Sequence, residues 1–178
     1  MTRDEAFNLL HYHVKNSYQR LHSKMVARCT EAYAEKFGES KDLWFITGLL
    51  HDLDYDEFPD QHPVKSLEWL REMDTPAEII HAIEAHAYGI TGVEPKTKLA
   101  ATLIAVDELS GFLYAYSLMR PEKWEGMKGS KAVKKLKDPS FAAKISREDI
   151  YYGAEKMEID LVEHTQFLID IISSTEDL

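Results

Sequence analysis

The stretch Gly48–Tyr55 reads GLLHDLDY, an apolar run that ends in a histidine and an aspartate side by side. His51 and Asp52 are common metal-ligating residue types, and burying such a pair is costly unless hydrogen bonds or a cation compensate it. On a helix, neighbouring side chains diverge by about 100°, so the two groups can straddle one ion. A His-Asp pair alone is weak evidence for a metal site. A metal site here therefore requires further ligand residues elsewhere in the chain.

Composition limits the class of protein. With 178 residues, 44% of them hydrophobic, the chain is expected to form a single domain over residues 1–178. No apolar run approaches the ~20 residues of a membrane span, and no signal-peptide segment follows the polar N-terminus. Cys29 is the one cysteine, which excludes a disulfide framework and a cysteine-rich zinc site. A reducing cytoplasm is the expected location.

Charge bears on the partners. The formal net charge of −10 argues against binding to a nucleic-acid polymer or an acidic membrane, both of which need a basic face. It does not exclude a small anionic substrate, because a bound cation can reverse the sign of one pocket. The sequence says nothing about the oligomeric state.

Apolar residues recur at three- and four-residue spacing, and no stretch alternates as a strand would, which predicts an all-α fold. One helix or two, broken near Asn16, are expected over residues 4–36, with Gly38 as a left-handed cap. Thr75 is expected to cap a later helix, with Pro76 as its first residue and Glu78 completing a capping box. The other predicted segments are helices at 42–52, from Pro63, at 96–120 and at 146–173, and a solvated connector at 121–145 with one short helix.

Four polar residues occupy positions that should face inward. His22, His86 and Asp107 fall on the apolar stripes of predicted helices, and His62 stands at the start of another. Taken singly, His22 and His86 are each explained as a core residue, and Asp107 as a loop cap or a partner of a lysine. His164 also lies on an apolar stripe, seven residues after Met157, and we interpret it as a buried, hydrogen-bonded histidine.

Read in order, these residues and the His-Asp pair give His…His-Asp…His…His…Asp, which resembles the HD-domain superfamily of metal-dependent phosphohydrolases. The resemblance covers about residues 18–116, with residues 121–174 expected to pack on this core. Its motifs are LHS at 21–23, GLLHD at 48–52 and AVDEL at 105–109. The LDY that follows at 53–55 resembles a poorly characterised branch of predicted hydrolases. The motifs of cyclic-dinucleotide phosphodiesterases and of guanosine tetraphosphate hydrolases are absent.

The resemblance implies a ligand set. His22, His51, Asp52 and Asp107 would hold a first divalent ion. In branches with two ions, His62 and His86 would hold the second and Asp52 would bridge. Imidazole and carboxylate ligands without thiolate suit Mn, Fe, Co, Ni or Zn. Two carboxylates balance one divalent ion, and a second ion leaves a charge of about +2 that attracts phosphate and activates a water nucleophile.

Two further residues are candidates for catalysis besides Asp52. Asp54 could act as an acid/base or as a partner behind a ligand, and Lys65, three residues after His62, could reach a phosphate. Either could equally be a solvated charge.

The leading hypothesis is a phosphohydrolase for a small phosphorylated metabolite or nucleotide. The alternatives are a di-iron oxygenase of the same superfamily, which uses the same six ligands, and a metal-stabilised regulatory module without turnover.

Overall fold

The computed structural model describes residues 1–175, and within them the chain is all-α, as predicted, with no strand. It falls into two compact units, Met1–Leu103 and a second that begins at Ile104. The helices, in chain order, are α1 (Arg3–His13), α2 (Ser17–Phe37), α3 (Lys41–Leu50), α4 (Val64–Glu72), α5 (Ala77–His86), α6 (Tyr88–Thr91), α7 (Lys98–Leu118), α8 (Gly129–Leu136), α9 (Arg147–Lys156) and α10 (Leu161–Ser173). A short 3-10 helix, Pro59–Gln61, precedes α4.

The first predicted helix is broken at the expected place. The side chain of Asn16 accepts hydrogen bonds from the backbone N–H groups of Tyr18 and Gln19, so it caps α2 and separates it from α1. Gly38 ends α2 with φ of 72°, the left-handed conformation that was predicted.

Two expectations about helix ends are wrong. Thr75 does not cap α5: Pro76 has an extended backbone and occupies the cap position itself, so the helix begins at Ala77 and no side chain caps it. The single helix expected over 146–173 is two helices, α9 and α10. The two helices are separated at Glu158, where the backbone φ is 54°, and the Asp160 side chain caps the start of α10.

In the first unit, α2 and α3 approach each other closely at Gly48. A Cβ at this position would lie 2.8 Å from the Ala27 Cα, so only glycine permits the contact. The Thr30 hydroxyl donates to the Trp44 carbonyl at 2.9 Å across the same pair of helices. This contact holds the end of α3, where His51 and Asp52 follow, against the helix that carries His22.

In the second unit, the residues of α7 from Ile104 onward meet α9 just as closely. A Cβ on Gly153 would lie 2.4 Å from the Ala105 Cα. Among the described helices, α7 is the one that is long and apolar enough to cross a membrane by length and composition. However, 72% of its most apolar window is buried, as in the core helix of a folded protein.

Candidate metal centre

Five of the six predicted metal ligands lie together in the first unit. His22 is on α2, and His51 is the residue that caps the end of α3, with Asp52 directly after it. His62 directly precedes Pro63 and α4, and His86 is the last residue of α5. Residues that are distant in sequence, from His22 to His86, are thus gathered around one carboxylate, because helix ends and a loop converge there.

Asp52 is at the centre of this cluster. Its Oδ2 atom lies 3.4 Å from His51 Nε2 and 3.9 Å from His22 Nε2. Its Oδ1 atom lies 3.5 Å from His62 Nε2 and 3.7 Å from His86 Nε2. Each carboxylate oxygen therefore faces a different pair of imidazoles.

Hydrogen bonds set the tautomers of three of these imidazoles. The Nδ1 atoms of His51 and His86 lie 2.8 Å from the Gly48 carbonyl and 2.5 Å from the Ile83 carbonyl. His62 Nδ1 lies 2.7 Å from Asp54 Oδ1. A carbonyl or carboxylate only accepts, so in the neutral ring the proton is on Nδ1 and the lone pair on Nε2.

This donor set fits a cation. His62 Nε2 and His86 Nε2 are 3.1 Å apart, and both face the Asp52 carboxylate, so three groups that accept hydrogen bonds converge on one point. Donor atoms bound to one ion at about 2.1 Å are separated by about 3.0–3.4 Å in octahedral or tetrahedral geometry. Ligand atoms of Asp52, His62 and His86 all lie within 4.8 Å of one another. These three side chains could therefore hold a metal ion.

Histidine neighbours lower the pKa of Asp52 and of Asp54. Burial opposes ionisation of Asp52, yet the neighbouring His51, His86 and His62 outweigh it and hold the pKa of Asp52 well below its usual value. Burial likewise opposes ionisation of Asp54, but hydrogen bonds from His62 and from Ser66 lower its pKa. Both carboxylates are therefore anionic at neutral pH.

The two weaker catalytic candidates lie in different surroundings. The Asp54 side chain is fully buried: besides His62, it accepts from the Ser66 backbone N–H at 2.9 Å. Lys65 is on the first turn of α4, 31% exposed, and its Nζ atom is 2.6 Å from Glu68 Oε2. A phosphate contact by Lys65 stays a prediction.

Asp107, the sixth predicted ligand, lies on α7 in the second unit, half-buried. The turn before it is held firmly, since His164 Nε2 on α10 donates to the Ala105 carbonyl at 2.9 Å and Gly153 packs against Ala105. His164 is thus the buried, hydrogen-bonded histidine that was predicted. The assignment of Asp107 as a ligand stays a prediction.

Sequence reasoning missed the groups that orient the ligands. Gly48 and Ile83 each stand three residues before a histidine at a helix end, where the last carbonyls lack helical partners. That spacing could have identified both carbonyls as acceptors. Ser66 gave no comparable signal, because its contact with Asp54 depends on how the loop folds back onto α4.

A family model of the HD domain matches residues 21–111, about half of the chain. The chain belongs to the HD domain family, as the order of its motifs predicted; HD domains bind divalent metal ions, and the family includes many metal-dependent phosphohydrolases. No curated protein and no solved structure matches the chain.

Proposed function

We propose that this protein is a metal-dependent phosphohydrolase that acts on a small phosphorylated metabolite or a nucleotide. The observation that carries the proposal is the position of Asp52, whose two oxygens face two different pairs of imidazoles at 3.4–3.9 Å. One carboxylate between two sets of neutral nitrogen donors is an arrangement suited to two divalent ions. Asp107 is proposed as the remaining ligand of the ion near His22 and His51.

Bound divalent ions would supply Lewis-acid activation of water and of the phosphate group. The chain supplies the orientation. The Nδ1 hydrogen bonds of His51, His62 and His86 fix three rings with Nε2 directed at Asp52. Because these ligands are neutral, two ions exceed the negative charge of Asp52 and Asp107. The site then attracts phosphate although the chain carries a net charge of −10.

Access to the cluster favours a small substrate. Among the ligand side chains, His51 is fully buried and Asp52 is 13% exposed. Two exposed tyrosines lie beside the cluster: Tyr18 stacks near His22 with ring centroids 6.4 Å apart, and Tyr55 packs edge-on to His62 at 5.3 Å. Their apolar faces favour a phosphate ester that carries an aromatic or apolar portion, such as a nucleotide. We further propose a cytoplasmic location, and neither a membrane nor a nucleic-acid polymer as partner.

The test is hydrolysis by protein loaded anaerobically with Mn. Nucleotides and sugar phosphates are screened for released inorganic phosphate or phosphomonoester, and we expect turnover that needs no oxygen and no iron. Asp52→Asn should remove this activity, whereas Asp60→Asn, which changes an exposed carboxylate outside the cluster, should retain it. If no phosphate ester in a broad panel is hydrolysed and the iron-loaded protein consumes oxygen, the protein is an oxygenase and the proposed hydrolase activity is wrong.

A further inference from the structure

The buried carboxylate of Asp54 is placed to control a metal ligand. It is the sole carboxylate among the acceptors that set the tautomers of His51, His62 and His86, since the other two acceptors are backbone carbonyls. The His62 Nδ1 to Asp54 Oδ1 distance is 2.7 Å, and neither side chain exceeds 9% exposure. A hydrogen bond to an anion in a water-poor setting is stronger than one to a neutral carbonyl.

The second carboxylate oxygen of Asp54 also accepts a hydrogen bond. Oδ2 accepts from the Ser66 backbone N–H at 2.9 Å, while the Asp54 N–H donates to the Ser66 hydroxyl at 3.0 Å. The carboxylate therefore accepts from His62 on one oxygen and from the Ser66 backbone on the other, and it is held in one orientation by the start of α4. Only a group with two acceptor atoms satisfies both donors at once.

We propose that Asp54 is a positioning residue that keeps His62 in the tautomer with Nε2 unprotonated and thereby sets the affinity of the ion held by Asp52, His62 and His86. The Asp54 charge raises the basicity of Nε2, which faces Asp52 and His86. The inference rests on the metal site of the proposed function but not on hydrolysis. Removing a partner of this kind typically lowers metal affinity about 10–100-fold.

The decisive variant is Asp54→Asn, because an amide has one acceptor and one donor atom. If its oxygen stays on His62, its NH₂ group meets the Ser66 N–H and that hydrogen bond is lost. If the amide turns over, its NH₂ group faces His62 Nδ1, and the ring proton must move to Nε2, the atom that would bind the ion. Either arrangement weakens the site, and the second inverts the tautomer.

The matched control is Ser66→Ala. It removes the Ser66 hydroxyl, which accepts from the Asp54 N–H and also interacts with the Asp54 carboxylate, but it leaves the contacts of that carboxylate with the Ser66 backbone N–H and with His62 in place. If Asp54 acted only by tying its loop to α4, Ser66→Ala and Asp54→Asn would lose metal alike. If Asp54 acts through the imidazole, the two variants differ.

Two measurements are made on the full chain, with Mn or Co as the probe. Equilibrium dialysis with elemental analysis should give two ions for wild type and for Ser66→Ala, and about a 10–100-fold weaker second ion for Asp54→Asn. Long-range ¹H–¹⁵N correlation spectra of the metal-free wild type should show the His62 proton on Nδ1. Because this spectrum needs no variant, it tests the tautomer even if Asp54→Asn does not fold.

Either of two results from the variants would overturn the role of Asp54: full second-ion affinity in Asp54→Asn, or equal losses in Asp54→Asn and Ser66→Ala. A His62 proton on Nε2 in wild type would do the same. If the proposed second ion does not bind at all, the result is different, because wild type would then bind no more metal than His62→Ala.

Discussion

His62 in the first unit and His164 in the second are both buried histidines, 9% and 2% exposed, and they differ in what they contact. His62 donates from Nδ1 to a buried carboxylate and turns Nε2 towards Asp52 and His86. His164 donates from Nε2 to the Ala105 carbonyl, beside the close contact between Gly153 and Ala105.

The difference teaches what separates a ligand from a structural histidine. Burial is common to both and distinguishes nothing. What matters is that His62 Nε2, the nitrogen left without a proton, faces Asp52 and His86 Nε2, which also accept hydrogen bonds. The groups around His62 Nε2 all accept hydrogen bonds, so only a cation or an added proton can satisfy them together. The hydrogen bond of His164 to the Ala105 carbonyl needs no cation.

The largest effect should come from Asp52→Ala. Because Asp52 faces the four imidazoles of His22, His51, His62 and His86, we expect loss of metal from both ion positions and loss of activity. Elemental analysis of the purified variant measures this directly. Full metal content in Asp52→Ala would contradict the bridging role.

Gly153→Ala should test the packing of the second unit without changing any residue of the first unit. The added Cβ would lie 2.4 Å from the Ala105 Cα, a backbone contact that cannot move aside easily. We expect the free energy of unfolding to fall by about 3 kcal/mol or more, measured by urea denaturation. The matched control is Gly89→Ala, where an added Cβ meets nothing within 4 Å and stability should hold or rise slightly. Equal stability of the two variants would show that the contact with Ala105 relaxes freely.

Removing metal should affect stability and not secondary structure. Bound ions would join segments far apart in sequence, so chelation should lower the melting temperature. We expect the free energy of unfolding to fall by about 2.7 kcal/mol if the free metal concentration before chelation was about 100 times its Kd. The helical stripes should keep the chelated protein helical, which far-ultraviolet circular dichroism measures. A coil spectrum would mean that the apolar core is insufficient without metal.

His164→Ala should sharpen the contrast with His62→Ala. The His164 variant loses a buried hydrogen bond and some packing, so we expect about 2 kcal/mol less stability with unchanged metal content. The His62 variant should retain about one ion per chain. Loss of metal in His164→Ala would end the distinction between the two histidines.

Local sequence signals predicted helix boundaries well where one side chain decided them. Asn16 and Gly38 are such positions, because a cap hydrogen bond and a left-handed residue depend on a few neighbouring atoms. The failures lay where two signals competed. Pro76 fits either the first helical position or the cap, and the apolar stripe that continues from Met157 to Leu161 concealed the break at Glu158.

The sequence by itself determined the all-α fold, the HD family and the order of the candidate ligands, because periodicity and motif order are properties of the linear chain. Only the tertiary structure decided what each ligand contacts. The tautomer of His62 depends on Asp54, and the orientation of Asp54 depends on the backbone of Ser66, twelve residues away. Hydrogen-bond geometry is set within a few tenths of an ångström by how helix ends and a loop pack together, and no spacing along the chain encodes distances of that kind.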